Sequence, residues 1–325
     1  MPLLEVRNLS VSFKAPSGHV NIVNDLSFEV EEGSVFGLAG ESGCGKSLTA
    51  LAIMGILPPN LRPSGAISYR GRDLLTLGPE ELRDLRGREI SMIFQEPMTS
   101  LNPVLRVGHQ IAEVITTHLK VPKKEALRRT ADLLRAVRIP SPEARMKEYP
   151  HQMSGGMRQR IMIAAAIACG PALLIADEPT TALDVTIEAQ ILELLRTLSA
   201  EKDMAVLLIT HDLGVIAENA GRVGIMYAGR MVETASVGDL FRRPMHPYTM
   251  GLMASLPTER GKPLKPIAGS VPRPGELPPG CRFSDRCPYA VEACRREEPA
   301  LRAIEARGSE GRHLARCIRV EEIIS

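Results

Sequence analysis

The sequence predicts an α/β protein built on a parallel sheet, with an antiparallel β part before it, a helical insertion within it and a small cysteine-bearing extension after it. Three observations carry this. The apolar run Ser34-Val35-Phe36-Gly37-Leu38-Ala39 feeds a glycine-rich loop, and Leu48 to Ile56 continues as a helix. Two further apolar runs, Ala172 to Ala176 and Ala205 to Ile209, are short and continuous, as strands buried on both faces must be. A helical pattern from Ile187 to Leu198 separates them and supplies the crossover that a parallel pair needs.

Bulk properties bound the problem before any motif is read. The chain has 325 residues, 44% of them hydrophobic, enough for one large domain with an appendage or for two domains. Its net charge of +2, from 40 basic and 38 acidic residues, sets up no overall field toward nucleic acid or anionic lipid, so no nucleic-acid partner is expected. No apolar run approaches the roughly 18 residues that span a bilayer, and Met1-Pro2-Leu3-Leu4-Glu5-Val6 lacks a secretion signal, so a cytosolic address is expected. Six cysteines are too few for a disulfide scaffold in such a chain.

The elements follow in order. Leu4-Glu5-Val6 and Val11-Ser12-Phe13, with the turn residues Pro16-Ser17-Gly18, read as short antiparallel strands. After the glycine-rich loop and its helix, Ile90 to Phe94 forms another apolar strand. Residues from about Val107 to Ala166 are rich in helix formers, broken by Pro140-Ser141-Pro142. Beyond Leu256 the prolines crowd: Pro257, Pro263, Pro266, Pro272, Pro274, Pro278 and Pro279 exclude a helix there. The expected division is therefore residues 1–255, with a helical part at about 100–165, and an extension at 256–325.

Gly40-Glu41-Ser42-Gly43-Cys44-Gly45-Lys46-Ser47 has the Gly-x4-Gly-Lys-Ser spacing of a phosphate-binding loop. Glycines let successive backbone N–H groups turn toward one phosphate, and the helix entered at Ser47 and Leu48 presents its positive end to it. Lys46 is expected to reach the β- and γ-phosphates and Ser47 to ligate Mg²⁺. The strand before and the helix after set it apart from an ordinary glycine turn. The apolar run ending at Ala176 terminates in Asp177-Glu178, two carboxylates suited to holding Mg²⁺ and to activating the attacking water. Standing alone, such a pair is more often a solvated turn. Gln95 and His211 also follow apolar strands, and in an open parallel sheet ligands bind at that edge.

Met153-Ser154-Gly155-Gly156-Met157-Arg158-Gln159-Arg160 resembles the Leu-Ser-Gly-Gly-Gln signature of ATP-binding cassette proteins. The resemblance covers roughly residues 3 to 255. It implies a P-loop NTPase cassette with a RecA-like core, in which Phe13 resembles the residue that stacks on adenine. Gln95 then resembles the Q-loop, Thr181-Ala182-Leu183-Asp184 the D-loop and His211 the switch histidine. Mg²⁺ would be held by Ser47, Gln95 and Asp177, and ATP by the loop together with Ser154, Gly155 and Gly156. Met153 and Met157 depart from the signature outside its Ser-Gly-Gly unit, so function is expected to survive.

Gln95-Glu96-Pro97-Met98-Thr99-Ser100-Leu101-Asn102-Pro103 and His246-Pro247-Tyr248-Thr249 further resemble the dipeptide and oligopeptide importer ATPases, a group that includes nickel and glutathione importer subunits. That resemblance implies a head-to-tail pair in which Ser154 and Gly156 serve the partner's nucleotide. The implied partners are a second, paralogous ATPase subunit, two transmembrane permease subunits and an extracytoplasmic substrate-binding protein. The implied location is the cytoplasmic face of a bacterial cell membrane. The alternative, a soluble cassette ATPase of DNA repair or translation, fits poorly with a single phosphate loop and no heptad run.

Cys281, Cys287, Cys294 and Cys317 supply the four thiols of a metal centre. Their gaps are wider than zinc ribbons favour, and Pro288 after Cys287 resembles a cluster loop. In the importer branch such an extension binds a [4Fe–4S] cluster in some members, so a cluster is expected here, with zinc or unliganded thiols as alternatives. Arg282, Arg286, Arg295 and Arg296 read as a solvated face.

Overall fold

A computed structural model describes residues 2–16, 18–95, 100–181, 183–256, 266–304 and 312–324. The strands are β1 (Leu4–Ala15), β2 (Gly18–Val30), β3 (Val35–Ala39), β4 (Leu61–Tyr69), β5 (Arg72–Asp73), β6 (Ile90–Ile93), β7 (Leu173–Asp177), β8 (Ala205–Thr210), β9 (Arg222–Tyr227), β10 (Arg230–Ser236), β11 (Arg302–Ala303) and β12 (Leu314–Ala315). The chain divides into two compact units, Met1–Val30 with Val35–Leu75 and Leu208–Ser325, and Glu31–Ser34 with Thr76–Leu207.

The first unit contains an antiparallel sheet in the order β2-β1-β4-β5. The two short strands expected near the N-terminus are one long strand, β1. It shifts register against β2 between Val6 and Leu9, where Asn8 takes a φ of 49°. Such an irregularity leaves ladder groups unpaired, and side chains replace them: the Asn8 N–H donates to the Ser27 hydroxyl at 2.8 Å. In the same unit β3 runs parallel to β9, β9 pairs antiparallel with β10, and β12 joins β10 to β11. The described residues of the extension thus lie in this unit. Tyr227, Tyr248 and Phe283 form its aromatic core, with ring centroids 4.7 to 5.4 Å apart.

In the second unit β6 and β7 are parallel, and the Ala205 N–H at the start of β8 donates to the Ala172 carbonyl at 2.9 Å. Every residue of β6 and β7 is buried, which accounts for their unbroken apolar sequence. The helix Val107–Leu119 buries Val107, Ile111 and Ile115 on one stripe, and the helix Lys123–Ala136 buries Ala126, Thr130 and Leu134. The Ser154 hydroxyl caps the helix Gly155–Ala166, and the Asp184 carboxylate caps the helix Val185–Lys202. These caps fix where two motif segments end and their helices begin.

Candidate functional site

The glycine-rich loop leaves β3 at Gly40, a position only glycine fills, because a Cβ there would lie 2.2 Å from the Met226 carbonyl oxygen. Gly45, at a φ of 105°, opens the helix Lys46–Ile53 without a side-chain cap, so its first-turn N–H groups keep their anion-binding character. Lys46 is 5% exposed, and its ammonium donates to the Gly40 carbonyl at 2.7 Å and the Glu41 carbonyl at 3.2 Å. Ser42 and Gly43 are exposed at the crown, and Ser47 and Leu48 are half-buried on the helix. Cys44 is buried, and burial pushes its thiol up, leaving it a packing residue. The Glu41 N–H donates to the Tyr248 hydroxyl at 2.9 Å, and the Glu41 carboxylate pairs with Arg286.

The second constellation stands at the end of β7. Asp177 is 3% exposed as the last residue of that strand. Glu178 follows with a φ of 45°, and its Oε2 accepts from Gln95 Nε2 at 2.9 Å and from Thr181 Oγ1 at 3.0 Å. The parallel register of β6 and β7, Ile93 opposite Ala176, brings Gln95 alongside Glu178. Behind this turn the buried Gln159 donates its side-chain amide to the Pro179 carbonyl. The helix that begins at the Ser-Gly-Gly unit therefore braces the turn that carries Glu178.

Ser154 and Gly155 are exposed. A Cβ on Gly156 would meet Ile187 Cγ2 at 2.8 Å, so close packing of two helices requires glycine there. Met153 is 4% exposed, so the signature's leucine position keeps its apolar role. Phe13 is half-buried on β1, and His211 is exposed immediately after β8. Ala182 and the segment Glu96 to Thr99 lie outside the described residues. A groove of about 1250 Å³ in the second unit, walled by Ala112, Thr116, Leu127 and Met146, is apolar and gathers none of these groups.

Three contributors escape the sequence reading: Thr181 as a partner of Glu178, and Tyr248 and Arg286 as partners of Glu41. Their signal is faint, because a hydroxyl three residues after an acid and an arginine beside a cysteine are both common. Arg282 and Arg286 correct the solvated-face reading, since each side chain is only 7% exposed and ion-paired, whereas Arg295 and Arg296 are exposed. Desolvation forces such buried cations to find partners.

Cys281, Cys287, Cys294 and Cys317 line one pocket together with His246 and Phe283. The Cys281 N–H donates to the Cys294 carbonyl at 2.8 Å, which ties the backbone at two of the four cysteines together. Burial pushes the Cys281 thiol up to about 11 and raises Cys287 and Cys317 as well. Among the described residues, no group of three or more His, Cys, Asp or Glu side chains is placed so as to hold a metal ion, the expected thiol centre included.

Residues 23–181 match the family described as ABC transporter, and residues 232–294 match the oligopeptide/dipeptide transporter C-terminal region. A probable peptide ABC transporter ATP-binding protein of Sinorhizobium fredii is 50% identical, covering 99% of this chain and 96% of that protein. The oligopeptide transport ATP-binding protein AppD of Bacillus subtilis is 51% identical over 92% of each chain. OppD of Salmonella typhimurium is 50% identical over 91% of this chain and 89% of its own. Among solved structures, the dimeric bacterial ABC transporter cassette MJ0796 superposes with a TM-score of 0.65 at 24% identity, over 72% of this chain and 98% of that one. A glycine loop ready for phosphate, a braced carboxylate at a buried strand end and relatives at half identity along the whole length lead to one assignment: the chain is an ATP-binding-cassette ATPase and belongs to the ABC transporter family.

Proposed function

We propose that this chain is the ATP-hydrolysing subunit of a bacterial importer of dipeptides or oligopeptides, working at the cytoplasmic face of the cell membrane. Relatives named as peptide import ATP-binding proteins support the solute class, as does the match of residues 232–294 to the oligopeptide/dipeptide transporter C-terminal region. The observation that carries the enzymatic half is Glu178, a carboxylate oriented by two donors at the end of a buried strand. In this reading Glu178 takes a proton from the attacking water, Gln95 holds the carboxylate in line, and His211 contacts the γ-phosphate. Residues 1–255 act as the nucleotide part and 256–325 as its extension.

The partners in this reading are two permease subunits, a substrate-binding protein and a second, paralogous ATPase chain. The exposure of Ser154 and Gly155 supports their serving a nucleotide bound by that second chain. For Mg²⁺ the donors are the hard oxygens of Ser47, Gln95 and Asp177, a set that fits the ion, and the bound ion would neutralise charge on the β- and γ-phosphates. For the extension, four thiols lining one pocket support a metal centre, and the wide spacing of the cysteines is the reason for reading it as a [4Fe–4S] cluster rather than zinc.

The test is to purify the chain with its co-transcribed neighbours. Glu178→Gln should bind ATP and hold the ATPase pair closed while steady-state hydrolysis drops by about 10²-fold or more. Undiminished turnover would refute the assigned base. A visible absorbance that bleaches on reduction is expected from the cluster, whereas a colourless zinc-bearing preparation would exclude it. Uptake of nickel or glutathione in place of peptide by the reconstituted complex would overturn the solute class.

A further inference from the structure

Glu41 is an awkward residue for a phosphate loop. The loop works by presenting N–H groups and the Lys46 ammonium to an anion, and a carboxylate one residue into it opposes that field. In the first unit this carboxylate is turned away from the loop and into the extension. Arg286 Nη1 donates to Glu41 Oε2 at 2.8 Å and Nη2 to Oε1 at 3.1 Å, a two-toothed pair. The guanidinium is itself fixed: its Nε donates to the Ala268 carbonyl at 2.8 Å, and it lies 5.6 Å from the Tyr227 ring centroid and 5.9 Å from that of Phe283. The Glu41 backbone is held as well, its N–H donating to Tyr248 at 2.9 Å, so this donor is spent on the protein. Both grips come from residues more than 200 positions further along the chain.

We propose that Arg286 is a positioning residue for nucleotide binding: it neutralises the Glu41 carboxylate and holds it off the phosphates while Tyr248 fixes the same turn. The ligand concerned is a nucleoside triphosphate, and the proposal rests on the reading of Gly40 to Ser47 as its phosphate site. Arg286 sits next to Cys287, so the segment that carries the thiol pocket also carries the charge that completes the loop.

The experiment is equilibrium binding of a fluorescent trinitrophenyl-ATP to the full chain, with displacement by ATP, at low and at moderate salt. Arg286→Ala should weaken ATP binding by about tenfold at low ionic strength and by less at high, because an exposed, unpaired carboxylate is screened. Glu41→Gln added to that variant should restore affinity to within about twofold, since the charge at fault is gone. Arg286→Lys should fall between, and Glu41→Gln alone should tighten binding, because Arg286 then faces the phosphates unopposed. A double variant as weak as Arg286→Ala, or an Arg286→Ala variant with unchanged affinity, would overturn the proposal. Should Arg286→Ala fail to fold, the sign of the Glu41→Gln effect decides, and weaker binding in that variant overturns it. Failure of the unaltered chain to bind the probe would instead refute the phosphate-site reading beneath it.

Discussion

Glu178 occupies a left-handed backbone conformation, φ 45°, that costs a non-glycine residue on the order of 1 kcal/mol. The turn is held by the Thr181 N–H on the Glu178 carbonyl at 3.2 Å and by the two donors on its carboxylate. Thr181→Val, which keeps the shape and removes the hydroxyl, should therefore lower kcat by roughly tenfold with little change in ATP affinity. A second residue-scale prediction concerns His246, whose ring is fully buried and caps its helix by accepting the Tyr248 N–H. Burial, then the nearby Arg316 charge, lowers its pKa from 6.5 to about 3. Between those values the unfolded chain binds the proton that the folded chain refuses, so stability falls as pH drops through that window. His246→Asn, which retains an acceptor, should flatten the loss between pH 6.5 and 5 by roughly 2 kcal/mol in urea unfolding. At this scale the sequence exposes Lys46, Asp177 and Glu178 because each stands in a short motif directly after an apolar run. Thr181 stays hidden because a hydroxyl three residues after an acid is common, and Arg286 because its partner Glu41 is set by tertiary contact.

At the scale of elements, the helix Gly155–Ala166 has one side-chain cap, the Ser154 hydroxyl on the Met157 N–H at 3.3 Å. Ser154→Ala should cost about 1 kcal/mol in chain stability, measured by denaturant midpoint, and should also slow hydrolysis in the assembled pair. The strands β11 and β12 have two residues each, too short to persist without an anchor. Their anchor is the fully buried Glu233, which accepts from the Met245 N–H at 2.7 Å and the His246 N–H at 2.8 Å and pairs with His313 Nε2 at 2.7 Å. Replacing His313 by Ala leaves that carboxylate short of a partner, so about 1–3 kcal/mol should be lost. Trypsin should then release the tail sooner than in the unaltered chain. The buried strands β3, β6, β7 and β8 are legible from their apolar runs, whereas β11 and β12 have no periodicity to read. β1 is legible in two pieces only, since the irregularity at Asn8 interrupts the alternation that would join them.

For the whole molecule, the proline-rich stretch after Leu256 marks a change of composition, but composition is silent about which surface a tail covers. The first unit buries Phe283 at 2% exposure against Tyr227 and Tyr248, and Arg316 donates to the Met231 carbonyl at 2.9 Å. Truncation after Leu256 should consequently uncover two tyrosines, take His313 from Glu233 and take Arg286 from the Glu41 carboxylate. We expect that shortened chain to aggregate, or to bind ATP more weakly than the full chain, as read by size-exclusion chromatography and nucleotide titration.

The seat of the phosphate loop has a consequence in time. Gly40 rests against the Met226 carbonyl, and the Gly229 N–H donates to the Cys44 carbonyl at 3.0 Å. A ribosome adding about 5–20 residues per second reaches that seat roughly ten to forty seconds after it has made the loop. During that interval the glycine loop has no floor beneath it, so ATP cannot template the growing chain until the segment from Met226 to Gly229 has been made.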